Sequence, residues 1–394
     1  MVNLLPLLLL LLILAAFLRD DFALTLIYLL VGALGVGMWW TRRALSRLEA
    51  QRTFGNRAFL GEKIRVEVEV RNRGWLPVPW LEIRDGLPVG LSSVPNVQRA
   101  AALGSKATTR LTYTLDARKR GYYAIGPLTL SSGDILGLNP PLEKTLPEEY
   151  LTVYPKIVPL VSVPVPSRAP QGTLRHAHPF LQDPARLFGK RDYVTGDSLR
   201  QVDWKATAAT GRLQVKMFEP SIALETLLCL NLNEDDYPFR QRIDSIELAI
   251  VITASLAAWI AQKRQSFGLL VNGVDLPTGQ PPRLLPPRKG GTHLIRLLEA
   301  LARTGPARQT PFLPLLQSQR TRLSWGTTLL VITGDIRDDL LRELYQTRRA
   351  GQEVLLIQAG AVTYSRQTQS LAEHYGIQLV SIQTERDLEQ IWRR

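Results

Sequence analysis

Cysteine is almost absent from this chain: Cys229 is the only one among 394 residues. A single thiol excludes an intramolecular disulfide framework and fits a reducing compartment. No Gly-rich loop ending in Lys-Ser or Lys-Thr occurs, so there is no phosphate-cradling nucleotide site of that kind. A nucleophile elbow is missing too, as is a Cys/His pair that would activate a thiol. Histidine is scarce, with four in all. His176 and His178 have the spacing of paired metal ligands, yet with no cysteine and no carboxylate pair nearby they read as a plain loop. On these absences the chain is expected not to be an enzyme.

What is present is charge and length. Lys and Arg number 48 against 35 Asp and Glu, a net charge of +13. That balance favours acidic partners (anionic lipid, nucleic acid or an acidic protein face) without choosing among them. The basic residues are spread through every segment and no recognised nucleic-acid module is present, so no nucleic-acid partner is expected. A composition of 45% hydrophobic and 21% charged residues is globular, and the length predicts two soluble domains beside an anchor.

The anchor lies at the start. Leu4 to Leu18 is an apolar run of fifteen, and Phe22 to Trp40 is one of nineteen with Thr25 as its mild exception. Arg19, Asp20 and Asp21 form a tight turn between them. The second run suffices for a helix across roughly 30 Å of hydrocarbon, and the first does so marginally. A cleaved signal peptide is the competing reading, but Met1 to Asn3 lacks its positive start and no small-residue cleavage site precedes Arg19. We therefore expect a transmembrane helical hairpin over 1–40, with Trp39 and Trp40 at the headgroup level. A basic juxtamembrane segment, 41–54, follows with Arg42, Arg43, Arg47 and Arg52. The positive-inside bias then places both termini and the soluble domains in the cytoplasm, against anionic headgroups.

Beyond the anchor the patterning changes to period two. "KIRVEVEVRNRG" alternates through Ile64, Val66, Val68 and Val70, and "TTRLTYTLD" repeats the alternation. Short strands with frequent Gly and Pro predict a β-sandwich over 55–155. A Pro-rich linker over 156–185 should run extended along a surface. From 186 to 394 strand and helix alternate, which predicts a parallel sheet with helices on both faces, an α/β Rossmann-like domain.

In such sheets ligands gather at the carboxyl ends of the strands. The first of these strands ends in "NLNEDD" and a later one in "TGD", while "GGTHL" brings a threonine to a helix start. The arrangement resembles the von Willebrand factor A fold and its metal-ion-dependent adhesion site. By that resemblance Asn231, Asn233 and Asp235 occupy the first loop, Thr292 the second and Asp335 the third. The family's leading aspartate and first serine are both asparagine here, so a charge and a hydroxyl are gone. Mg²⁺ favours hard, charged oxygens, which weakens such a site without excluding it. The alternative is that these residues are turn formers and helix caps, so no cofactor is expected beyond Mg²⁺ at a degenerate site.

The densest polar stretch is "GDSLRQVDWKATA", residues 196–208. With its flanks it resembles the signature of the bacterial domain of unknown function 58 family, at Tyr193, Gly196, Asp197, Arg200, Asp203, Trp204, Lys205 and Lys216 through Glu219. The layout of hairpin, sandwich and A-type fold resembles that family throughout the chain. The resemblance implies a membrane-anchored scaffold or adaptor working with a MoxR-type AAA+ ATPase in assembling or activating complexes. A metal-assisted hydrolase with its site at the strand ends is the alternative. Asp197 and Asp203 lie within sequence reach of Arg200 and Lys205, which predicts a charge network around a half-buried Trp204. Either that network straps the segment onto the sheet, or Arg191, Arg200, Lys205, Arg212 and Lys216 present a basic docking face around Trp204.

Overall fold

A computed structural model describes residues 10, 13, 21–135, 137, 139–164, 182–194, 197–220, 225–282, 284–308, 310–320, 322–324, 326–361 and 364–391. The chain divides into two compact units. Unit one is Met1–Lys156 with Asp275–Gly279 and Leu298–Thr304; unit two is Ile157–Val274, Gln280–Leu297 and Gly305–Arg394. The first apolar run of the expected hairpin lies outside the described residues except for Leu10 and Ile13, which are helical.

Helix α1 spans Asp21–Ser46, so Asp21 belongs to the helix rather than to a turn. Its stretch Leu24–Ser46 is long and apolar enough to cross a membrane. It does not stop at Trp40. Thr41, Ala44 and Leu45 are buried, as is Leu48 just beyond the helix, and the last three join the core of the sandwich. Strand β1 (Leu48–Thr53) then pairs antiparallel with β3 (Lys63–Asn72). The expected juxtamembrane segment 41–54 is therefore not a separate element: it is the end of the helix and the first strand.

Arg52 shows why. Its side chain is only 1% exposed. Nε and Nη2 donate to the two Asp85 oxygens at 3.0 and 2.6 Å, Nη1 donates to Glu149 at 3.2 Å, and Tyr113 donates its hydroxyl to Asp85 at 2.6 Å. A buried guanidinium needs a partner for its charge, and β4 supplies it. Of the four arginines assigned to the headgroups, Arg52 is thus inside the protein, while Arg42, Arg43 and Arg47 are exposed.

The remaining strands of this unit are β2 (Arg57–Phe59), β4 (Val78–Gly86), β5 (Asn96–Leu103), β6 (Thr108–Asp116), β7 (Gly121–Ile125), β8 (Leu128–Ser132), β9 (Leu142–Leu146) and β10 (Glu149–Tyr154). They form sheets ordered β1-β3-β6, β5-β4-β8-β9 and β2-β10-β7. The alternation in "KIRVEVEV" does what period two dictates: Ile64, Val66, Val68 and Val70 are all buried. They pack with Leu81, Ile83, Leu115, Leu128, Leu130, Leu151 and Val153 in one core.

Unit two begins with the start of the Pro-rich stretch. Val158, Leu160 and Val163 are buried, and the Val158 amide donates to Ser255 Oγ at 2.9 Å. Residues 157–164 are thus packed against a helix rather than linking; residues 165–181, with His176 and His178, lie outside the described residues. Next come β11 (Gln182–Asp192), α2 (Trp204–Thr210) and β12 (Gln214–Pro220), with β11 and β12 antiparallel. The α/β part follows as β13 (Glu225–Leu230), α3 (Arg242–Gln262), β14 (Ser266–Val271), β15 (Val274–Asp275), β16 (Leu285–Arg288), α4 (Gly291–Arg303), β17 (Thr304–Gly305), α5 (Phe312–Arg320), β18 (Thr328–Thr333), α6 (Asp338–Arg349), β19 (Glu353–Ala359), α7 (Arg366–His374), β20 (Gln378–Ile382) and α8 (Glu385–Ile391).

Six strands form one sheet ordered β16-β14-β13-β18-β19-β20. All neighbours are parallel except β16, which runs antiparallel to β14 at the edge. Pro286 and Pro287 lie in β16, and residues without an N–H are tolerated only on an edge strand. The edge also explains Gly268: a Cβ there would sit 2.6 Å from the Leu285 carbonyl oxygen. Helix α3 also has the length and composition of a membrane span, but most of it is buried here, apolar on nearly every side. It is a core helix.

Asp85→Ala leaves the buried Arg52 charge with Glu149 alone and should destabilise the sandwich by about 3–5 kcal/mol, read from urea unfolding of the detergent-solubilised chain. Burial and the Asp85 hydrogen bond raise the Tyr113 pKa above its ordinary value. Its contribution is therefore complete below pH about 10 and is lost as pH rises through the folded value.

Candidate functional site

Strand order reverses between β13 and β18, so the crevice at their carboxyl ends is where a doubly wound sheet takes its ligands. Asn231, the first residue past β13, is buried there. Its Nδ2 donates to Asp236 at 2.8 Å and to Thr333 Oγ1 at 3.0 Å. Its Oδ1 accepts from the Asn233 amide at 3.0 Å and from Asn272 Nδ2 at 2.8 Å. Asn233 Nδ2 also reaches Asp236, at 3.1 Å. The Arg337 guanidinium sits on the other Asp236 oxygen and on Asp335 at 3.3 Å.

Three of the five residues assigned from the adhesion-site pattern do meet here: Asn231, Asn233 and Asp335. Asp235 is exposed and stands outside the network, because the 3₁₀ turn Glu234–Asp236 brings Asp236 inward instead. Thr292 is at the wrong end of the sheet. It follows β16, whose last residue Arg288 pairs with Phe267 at the start of β14, and Phe267 pairs in turn with nothing nearer the site than Thr226. Five residues of extended strand, roughly 16 Å, separate that level from Asn231. The neighbouring His293 confirms the placement, with Nε2 2.8 Å from the Phe267 carbonyl oxygen. The hydroxyl at the crevice comes from Thr333. Gly334 of "TGD" is required by space: a Cβ there would collide with the Tyr237 ring and the Asp236 carbonyl.

These residues do not fit Mg²⁺. The ion asks for several converging oxygens, whereas Asp236 is met by two amide N–H groups and a guanidinium. Among the described residues Asn233 Oδ1 is buried without a partner, as is Gln358 Oε1 on the neighbouring strand end. Asp335 Oδ1 accepts the Ile336 amide at 2.9 Å. Arg337 supplies from within the chain the positive charge that a metal would bring.

The signature is built differently from the expected network. Asp197 is held by Arg191 in a two-pronged pair, at 2.8 and 2.7 Å, and accepts the Val194 amide at 2.9 Å. Those bonds, the Arg191 pair first, hold its carboxyl below the usual range. Asp203 caps α2, accepting the amides of Lys205 and Ala206 at 3.1 Å each, and pairs with Lys190 at 2.9 Å. The Lys190 bond, then the Ala206 amide, lower its pKa, and Lys216, the cross-strand neighbour of Lys190, adds to the effect. Val202 bridges Val215, and both are buried. The Tyr193 amide donates to the Leu213 carbonyl at 2.8 Å, and the Tyr193 side chain is half-buried. Gly196 lies outside the described residues.

The partners of both aspartates are thus Arg191 and Lys190, not Arg200 and Lys205. Trp204 is also not half-buried as predicted: it opens α2 with 67% of its surface exposed. Arg200, Lys205 and Arg212 are exposed beside it in sequence and make no ion pair among the described residues. The sequence signal for Lys190 and Arg191 was their position on a strand pairing with 214–216, which period-two reading across a missing turn does not reveal.

Residues 189–365 match the model of the family described as "Protein of unknown function DUF58". That stretch belongs to the DUF58 family. The chain is 25% identical over 291 residues to the "Uncharacterized protein YeaD" of Bacillus subtilis (strain 168), covering 71% of this chain and 68% of that protein. Among solved structures it is similar to an aerotolerance-related membrane protein from Bacteroides fragilis, with 11% identity, TM-score 0.30, and coverage of 43% of this chain and 96% of the other. A von Willebrand factor type A structure from Catenulispora acidiphila gives 14% identity and TM-score 0.30, covering 45% of this chain and 42% of the other.

Calorimetric titration of the full chain with Mg²⁺ is expected to show no stoichiometric binding in the micromolar range. Tight one-to-one binding would contradict the assignment of Arg337 as the internal cation.

Proposed function

We propose that this protein is a membrane-anchored adaptor whose signature is a docking face for an acidic protein partner. The observation that carries the reading is Trp204. A tryptophan left 67% exposed at the start of a short, capped helix is held out rather than packed in. Tryptophan and arginine are the residue types that dominate binding energy at interfaces. Here the aspartates do the fastening, through Arg191 and Lys190, which leaves Arg200, Lys205 and Arg212 for an acidic surface. The strap and the docking face are therefore two sides of one segment.

Helix α1 supports the anchor, and exposed Arg42, Arg43 and Arg47 at its end support a cytoplasmic face by the positive-inside bias. Family membership supports a MoxR-type AAA+ ATPase as the partner and complex assembly or activation as the process. The hydrolase alternative draws no support from the strand-end cluster, whose carboxylates are committed to amides and Arg337.

Trp204→Ala should leave unfolding stability within about 0.5 kcal/mol of wild type, as for surface positions. In pull-downs from detergent-solubilised cells, wild type should retain an AAA+ ATPase that the variant loses. A variant that fails to fold, or that captures the ATPase as well as wild type, overturns the docking face.

A further inference from the structure

The span available to α1 is shorter than its apolar run implies. From Leu34 onward the helix is in contact with the sandwich. Asn139 Nδ2 donates to the Leu34 carbonyl at 3.1 Å, and a Cβ on Gly37 would lie 3.1 Å from Asp134 Cβ. Further on, the Trp40 indole donates to the Pro77 carbonyl at 3.0 Å. Residues 21–33, which precede these contacts, cover only about 20 Å at 1.5 Å per residue. The hydrocarbon core is about 30 Å thick. With Trp39 and Trp40 at the headgroup level, Leu34 and the loop touching it lie about 9 Å deeper.

That loop is suited to such a depth. Ile135 at its tip is 75% exposed. Two of its described residues are closed on one another: Asp134 Oδ2 accepts from the Asn139 amide at 2.8 Å and from Asn139 Nδ2 at 2.7 Å. Backbone and side-chain polar groups at membrane depth require such internal partners. Partly exposed Trp80 packs its ring 3.6 Å from where a Gly133 Cβ would be, and exposed Trp39 lies on α1. One turn further along, Arg42 and Arg43 are exposed beside Met38 and Trp39 in a shallow groove. Apolar tip, aromatic belt and cations follow in the order of acyl chain, interface and phosphate.

We propose that the sandwich edge formed by Gly133, Asp134, Ile135 and Asn139, Trp80 and the Val36–Arg43 stretch of α1 is a membrane-inserted platform, seated in an anionic phospholipid bilayer with Ile135 in the acyl region. The proposal rests on reading α1 as a membrane-crossing helix. The occupant is lipid because the surface is continuous with that helix and its charge is complementary to anionic headgroups.

The test uses the full chain in liposomes of phosphatidylcholine and phosphatidylglycerol containing nitroxide-labelled lipid. A fluorophore is attached to a cysteine introduced singly at Ile135→Cys, Leu29→Cys or Val89→Cys; Cys229 is fully buried and does not compete for label. Leu29 is an exposed position on α1, and Val89 is an exposed position past the opposite end of β4 from Trp80. Strong quenching at 135 and at 29, with little at 89, is the expected result. Quenching at 29 with residue 135 no more quenched than 89 overturns the platform and leaves the span intact. No quenching at 29 overturns the span, and the platform with it.

Discussion

Everything in the first unit depends on a helix that has no hinge where it leaves its apolar stretch. Thr41, Ala44, Leu45 and Leu48 pass from helix to strand while buried. The Lys144 ammonium fastens that passage by donating to the Leu48 carbonyl at 2.6 Å. Four residues later Arg52 is locked to Asp85, Glu149 and, through Asp85, Tyr113. Breaking that chain of contacts exposes apolar core at one end and an unpaired buried charge at the other. The end of α1 and the sandwich share one packed core.

The second unit answers a different constraint. A doubly wound sheet leaves a crevice at its switch point, and most such crevices hold a ligand. Here Asp236 at that crevice is met by the side-chain amides of Asn231 and Asn233 and by Arg337. What faces outward instead is the signature. Within thirteen residues, two aspartates fasten the segment while Trp204, Arg200 and Lys205 are left to solvent.

How much of this was legible follows from the range of the interactions involved. The strands "KIRVEVEV" and "TTRLTYTLD", the buried run "LETLLCLNL" and the alternation of strand and helix were all readable, because period and local propensity fix them. The extent of α1 was not. Arg42 to Thr53 looks like a charged tether until Asp85, far along the chain, gives Arg52 a reason to be inside. The same holds for the signature, where nearest-in-sequence pairing chose Arg200 and Lys205 while cross-strand register chose Arg191 and Lys190. Thr292 was misplaced because the direction of β16 is not written in "LLPPR"; only the pairing with β14 shows that it runs backwards. Asn272, by contrast, ends β14 as Asn231 ends β13, and that parallel was available to a reader of strand ends.

The most direct test of a rigid junction is amide hydrogen exchange of the full chain reconstituted in bilayers. Residues 41–46 are predicted to exchange only through the same global opening that exchanges the β3 amides of residues 64–70. Exchange at 41–46 much faster than at β3, with β3 still protected, would mean a hinge between helix and sandwich and would contradict the account.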